Sequence, residues 1–214
     1  MKSVTVVIIH YRTPAMLRQA VHSFRRYYGS LPLVLVDNGS KDGSQNVLRE
    51  LQAHWPDSTR LLLLNDNRFH GPAMHRAMET VESELVFFLD SDTVTLKGGF
   101  LEAMTHEMQD KKNYGAGRVK TVNRRGFATK EGLEVLATPY MMLKKNVYEV
   151  LPPFIHHGYP GIRNFREAWN RGYKLVDFPV EEYIRHEGRG TAGRYGYGLG
   201  IKGKINYLLQ KLGL

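Results

Sequence analysis

The chain has 214 residues, a formal charge of +9 at pH 7 and no cysteine, which is enough length for one sizeable core. Without thiols, a disulfide framework and any thiolate metal site are excluded, so a bound metal must take oxygen or imidazole ligands. The positive charge favours an anionic partner, such as a nucleotide, nucleic acid or lipid headgroup, without choosing among them.

Residues 3–9 carry the apolar run VTVVII, far short of the roughly 20 residues of a membrane span. A continuous run of this kind suits a strand covered on both faces of a parallel sheet. Residues 14–28 follow with Met16, Leu17, Ala20, Val21 and Phe24 at helical spacing, opened by Thr13 as a cap and Pro14 in the first turn. Residues 31–36 repeat the apolar run, the turn residues DNGSKDGS break it, and residues 45–53 resume helical periodicity. A third strand over 60–64, a third helix over 72–81 and a fourth strand over 85–89 complete an alternation that predicts a parallel sheet with right-handed crossovers. Beyond about residue 110 the pattern loosens into mixed α/β, with strands expected at 115–122, 140–143 and 173–178 and a helix at 165–171. The expected organisation is one α/β domain over 1–187, with a nucleotide-binding half (1–110) and an acceptor-side half (111–187). Residues 188–214 read as a Gly/Arg/Tyr-rich mobile loop and a short amphipathic helix.

In open parallel sheets ligands bind beyond the carboxyl ends of the strands. The first strand ends in His10-Tyr11-Arg12, the second in Asp37-Asn38-Gly39-Ser40 and the fourth in Asp90-Ser91-Asp92. Two carboxylates one residue apart at such a mouth can engage a divalent cation that a diphosphate also coordinates. The plainer alternative is a helix cap or a solvated turn. The preceding LVFFL tips the balance, because carboxylates beside an apolar strand end are costly to bury unless a cation or hydrogen bonds compensate.

Taken in order, VTVVIIHYRTPAMLRQAVHSF, LVLVDNGSKDGS and LVFFLDSDTV resemble the inverting, GT-A fold nucleotide-sugar transferases of glycosyltransferase family 2. The resemblance implies a Rossmann-like GT-A fold, with a mainly parallel central sheet flanked by helices. It also implies transfer of a sugar with inversion from a nucleotide-diphosphate donor, UDP first, with GDP and dTDP as other uses of the fold. Carried over by position, it implies that Asp37 accepts a hydrogen bond from the base while Asn38, His10, Tyr11 and Arg12 frame the nucleoside. Asp90 and Ser91 would lie by the ribose and metal, and Asp92 would ligate Mn²⁺ or Mg²⁺. NDNRFHGPAMHRAM resembles the segment that covers the donor: there Arg68 either meets the diphosphate with its planar fork of donors or is solvated. Arg76 reads as solvated on its helix, and His70 and His75 stay ambiguous. GYKLVDFPVEEYIRHEG resembles a late strand followed by a histidine, which places His186 where some GT-A enzymes have a third metal ligand. An imidazole there would favour Mn²⁺ over Mg²⁺; the alternative is a surface histidine flanked by Arg185 and Glu187.

One departure from the family is plain. Its members usually carry an acidic general base about a dozen residues before the equivalent of Gly172, and here that stretch reads HHGYPGIRN. Three explanations stand: His156 or His157 takes the proton, an acid such as Glu187 or Glu167 comes from elsewhere, or transfer has been lost. In the last case the chain is a degenerate GT-A protein that binds a nucleotide sugar or an anionic glycan. A nucleotidyltransferase would also use strand-end carboxylates, but HYRTPAML lacks the Gly-rich phosphate loop such enzymes show. Arg189 and Arg194 would be the phosphate contacts if residues 188–204 form a lid. The expected acceptor is a glycan, a lipid-linked molecule or a small molecule. Nucleic acid is not expected, since a basic stripe with interleaved aromatics is missing. A homo-oligomer is open, and the expected place is the cytoplasm, with at most peripheral contact at the inner face of a membrane.

Overall fold

The computed structural model describes residues 2–123, 126, 128–155 and 160–188. Four strands, β1 (Val4–His10), β2 (Leu33–Asp37), β3 (Thr59–Leu63) and β4 (Leu85–Asp90), alternate with α1 (Pro14–Arg25), α2 (Ser44–His54) and α3 (His70–Thr80). There follow β5 (Thr93–Thr95), α4 (Phe100–Glu107), β6 (Asn113–Val122), β7 (Leu133–Lys144), α5 (Lys145–Tyr148), α6 (Ile162–Asn170), β8 (Lys174–Asp177) and β9 (Ile184–His186). The central sheet has the order β3-β2-β1-β4-β7-β6-β8, and β5 pairs with β9 in a separate ribbon. β7 runs antiparallel to both β4 and β6, while the other neighbours in the central sheet are parallel.

The apolar runs are continuous because both faces of the sheet are covered. Val6, Ile8, Leu33, Leu35, Leu85 and Phe87 pack against α1, α2 and α4. Their neighbours in sequence, Val7, Ile9, Val34, Val36, Val86 and Phe88, pack against α3, α5 and α6. Each such side chain fully buried contributes about 1.5–3 kcal/mol, so the alternate pointing of a strand commits it to a helical layer on each side.

Two differences from the sequence reading are physical. Thr13 stands at the start of α1 without capping it: its hydroxyl lies 3.4 Å from His10 Nδ1, while Pro14 occupies the first turn as expected. The strand expected over 140–143 is the 12-residue β7, whose first part pairs with β6 past the end of the sheet. A bulge between Gly117 and Val119 turns the hairpin there, and residues 119–122 then pair with 133–136 beyond the carboxyl edge where Leu89 meets Tyr140. The segment from residue 189 onward, with Arg189 and Arg194, lies outside the described residues.

Candidate active site

The carboxyl ends of β1, β2 and β4 lie side by side, with His10 level with Asp37 and Ile9 level with Asp90. After Asp90 the chain turns at Ser91 and Asp92, a turn held by the Thr93 hydroxyl donating to the Asp90 carbonyl at 2.7 Å. β5 then pairs with β9 so that Thr93 faces His186, and the Glu187 N–H donates to the Asp92 carbonyl at 2.9 Å. This short ribbon carries the late histidine to the acid pair. His186 Nε2 lies 3.1 Å from Asp92 Oδ1 and 4.0 Å from Asp90 Oδ2. One ligand atom from each of Asp90, Asp92 and His186 lies within 4.8 Å of the others. His70, the first residue of α3, brings a second imidazole to Asp90, its Nε2 lying 3.8 Å from Oδ1.

The electrostatics agree with that convergence. Burial pushes the Asp90 carboxyl up, the His70 and His186 imidazoles oppose it, and the neighbouring Asp92 adds to it. The hydrogen bond to Asp92 holds the His186 imidazole above its ordinary value. Two partly buried carboxylates and an imidazole are the oxygen and nitrogen donors that suit a divalent Mn²⁺ or Mg²⁺, whose charge would offset the repulsion between the acids.

At the ends of β1 and β2 the residues form a braced wall. His10 is fully buried; burial lowers its imidazole to about 4 against the opposing pull of Asp37 and Asp42, so it is neutral at pH 7. Its Nε2 has no hydrogen-bond partner among the described residues. Asp37, read from the sequence as a contact for the base, is fully enclosed, and its carboxylate holds the turn. Oδ1 accepts the Ser40 N–H at 3.2 Å and Oδ2 accepts Gln45 Nε2 at 3.1 Å. Asn38 joins that turn to the loop after β3, donating to Asn67 Oδ1 at 3.1 Å and accepting the Arg68 N–H at 3.0 Å. Gly39 is required there, because at φ +73° a Cβ would lie 2.2 Å from the Asp66 carbonyl carbon. Arg12 adopts φ 55°, gives its N–H to Ser40 Oγ at 2.9 Å and places its guanidinium 5.1 Å from the centroid of the Tyr11 ring.

The remaining candidates divide. The Arg68 side chain is exposed, 3.5 Å from Asp66 Oδ1, and Arg76 pairs with Glu79 at 2.8 Å on the outer side of α3. His75 is turned away to Tyr148, its Nδ1 3.0 Å from the phenol oxygen, which accepts the Phe154 N–H at 3.1 Å. Glu187 is exposed and accepts Arg185 Nε at 2.9 Å, while Glu167 accepts Arg171 Nε at 2.8 Å on α6. His156 and His157 lie outside the described residues.

The fold adds residues that local sequence does not mark. Pairing with Leu89 brings Tyr140 to the side of Asp90, where its hydroxyl donates to Glu181 Oε1 at 3.1 Å and burial pushes it up to about 12. Arg118, on the β6 bulge, bridges Glu181 at 2.9 Å and Asp177 at 3.2 Å. The charge of Lys120, farther along β6, is felt at His186. No short-range signal finds them, since each depends on a strand pairing between distant segments.

The glycosyl transferase family 2 model matches residues 5–173. An uncharacterized glycosyltransferase of Nostoc sp. is 30% identical over 92 residues, covering 42% of this chain and 28% of the relative. The teichoic acid poly(glycerol phosphate) polymerase of Staphylococcus epidermidis is 26% identical over 93 residues, 43% of this chain and 13% of its own length. Among solved structures, the mannosyltransferase of Pyrobaculum calidifontis, in complex with GDP-Man and Mn²⁺, superposes with a TM-score of 0.70 at 19% identity, covering 83% of this chain and 55% of that one. S. aureus TarS 1-349 with UDP-GlcNAc superposes with a TM-score of 0.64 at 17% identity, covering 90% and 61%. The chain thus spans less than two thirds of the length of each of these proteins. Those likenesses establish the GT-A fold, and the family match over most of the length establishes the family: the chain belongs to glycosyltransferase family 2.

Proposed function

We propose that the chain transfers a sugar from a nucleoside-diphosphate donor to an acceptor hydroxyl with inversion, with a divalent cation held by Asp90, Asp92 and His186. The observation that carries this reading is the convergence of those three side chains at the carboxyl end of β4, beside the ends of β1 and β2. When bound, the cation neutralises charge on the departing nucleoside diphosphate. An imidazole in the set favours Mn²⁺ over Mg²⁺, and the Mn²⁺ in the GDP-Man complex of the archaeal relative supports that choice.

The braced wall around His10, Tyr11, Arg12 and the DNGS turn receives the nucleoside. Asp37 shapes the turn there, and because each of its oxygens accepts one bond, from Ser40 and from Gln45, acceptor capacity remains for a base N–H. UDP is the first candidate, with GDP the second, in line with the nucleotide sugars named in the TarS and mannosyltransferase complexes. Arg12 and Arg68 are the guanidinium groups proposed for the diphosphate.

Attack requires a base on the acceptor side, and residues 150–166 contain no carboxylate. His156 and His157 are the proposed bases, because an imidazole titrates near neutral pH. Glu187 is second, since its carboxylate is already engaged by Arg185. The same acid-free stretch supports a second reading, a degenerate transferase that binds a nucleotide sugar without transferring it.

Calorimetric titration with UDP and GDP, with and without Mn²⁺, tests the donor site. Tight binding of one nucleotide only with metal, and its loss in Asp92→Ala, is the expected result. Unchanged Mn²⁺ dependence in Asp92→Ala would remove the assignment.

A further inference from the structure

A cleft of about 550 Å³ lies away from the acid pair, lined by Val122, Asn123, Glu131, Gly132, Leu133 and Arg166. It sits at the tip of the β6–β7 hairpin, on the sheet face shared with α6. Its floor is apolar: Val122 belongs to the core cluster that also holds Phe165, and Leu133 packs against that cluster. Its rim brings together three kinds of polar group: a guanidinium, a carboxylate and an amide. Arg166 comes from α6, and neither its side chain nor that of Glu131 makes a hydrogen bond or ion pair with another described residue. Gly132 allows the hairpin strands to close behind the cleft, because a Cβ there would lie 2.3 Å from the Val122 carbonyl oxygen.

An apolar floor with donors, an acceptor and a two-way amide around it matches the surface of a sugar ring, which offers C–H faces and a belt of hydroxyls. A purely anionic ligand would meet Glu131 as well as Arg166, and a purely apolar one would strand both. The cleft also has a fixed relation to the proposed site of transfer. The hairpin leaves the sheet beside Tyr140, Lys120 on it acts on His186, and Val122 stands four residues past the bulged Arg118. At about 3.3 Å per strand residue, that is about 13 Å from the level of Tyr140, more than a single sugar ring covers.

Resting on the transferase reading, we infer that this cleft is a remote acceptor subsite that holds a sugar residue of an oligosaccharide whose terminal residue is the one extended. The acceptor is then a glycan of at least two or three units, and a free monosaccharide fills only one end of the path.

The test is nuclear magnetic resonance of the full chain with labelled methyl groups, titrated with mono-, di- and trisaccharides of glucose, galactose, mannose and N-acetylglucosamine at millimolar concentration. The expected result is that the Val122 and Leu133 methyls shift with at least one trisaccharide, bound at least tenfold more tightly than its monosaccharide. Arg166→Ala and Glu131→Gln should each weaken that binding tenfold while leaving UDP affinity in Mn²⁺ unchanged. Equal binding by mono- and trisaccharides, unchanged binding in both variants, or no shift of these methyls with any sugar would overturn the inference. UDP titration of the same samples keeps the two readings apart: loss of nucleotide binding speaks against the donor site, whereas sugar-dependent shifts speak only to the cleft.

Discussion

His10 shows what burial does to one side chain. In the unfolded chain its imidazole takes a proton near 6.5, and in the folded chain only near 4, because the enclosed site disfavours the cation. The unfolded state therefore binds the proton first, and the stability due to this residue is fully present above pH 6.5 and lost as the pH falls toward 4. Chemical denaturation of the wild type should show up to about 3 kcal/mol of this loss. His10→Gln, with no group to protonate, should lose that much less across the same interval. A parallel decline in both proteins would show that other titrating groups dominate. The base is the second question at this scale: His157→Ala should lower turnover at least a hundredfold with donor affinity intact, if that imidazole takes the acceptor proton. Full activity in variants at both His156 and His157 would move the role to Glu187 or Glu167.

Among the elements, the join of α1 to the β2 and β3 entries depends on one guanidinium. Arg25 is 5% exposed and has no carboxylate partner among the described residues; it donates instead to the carbonyls of Tyr28, Gly29, Leu31 and Ser58 and to the Thr59 hydroxyl. Burial lowers its guanidinium to about 10, so it remains charged at every physiological pH. Arg25→Met keeps the volume and removes the donors, leaving several enclosed acceptors bare, and should lower unfolding free energy by about 3 kcal/mol or more. A change below about 1 kcal/mol in urea denaturation would show that water replaces the side chain.

The elements also show what sequence alone could carry. β1, β2 and β4 were legible to within a residue or two because each is an unbroken apolar run stopped by polar residues, and those stops are the strand ends that matter. Asp90 and Asp92 were visible for the same reason. α4 and the ribbon of β5 and β9 were not, since three-residue strands have no periodicity to detect. Tyr140 and Lys120 reach the site only through pairing with distant strands, and His70 gave no sign of which way it would turn. The burial of Asp37 depends on Gln45 and Ser40 closing around it, a matter of side-chain direction that a motif does not encode.

For the whole molecule, the donor and the cation should act as one stabilising ligand. A ligand at a hundred times its dissociation constant adds about 2.7 kcal/mol to unfolding, or roughly 5–10 °C in a domain of this size. UDP with Mn²⁺ should raise the midpoint by that amount, with UDP alone giving far less, in a thermal melt read by fluorescence. Equal shifts with and without metal would mean that nucleotide and cation bind independently.

The ribbon between β5 and β9 has a further consequence for the protein while it is being made. Asp90 and Asp92 leave the ribosome well before His186, so a nascent chain with β1, β2 and β4 in place still lacks the imidazole that β9 brings to the acid pair. Under the proposed metal role of Asp90, Asp92 and His186, metal competence is a late event in synthesis, arriving only when the last described strand has docked. Under the proposed role of His186, a truncated translation product ending before β9 would carry every family motif of the donor half and yet bind a nucleotide sugar poorly.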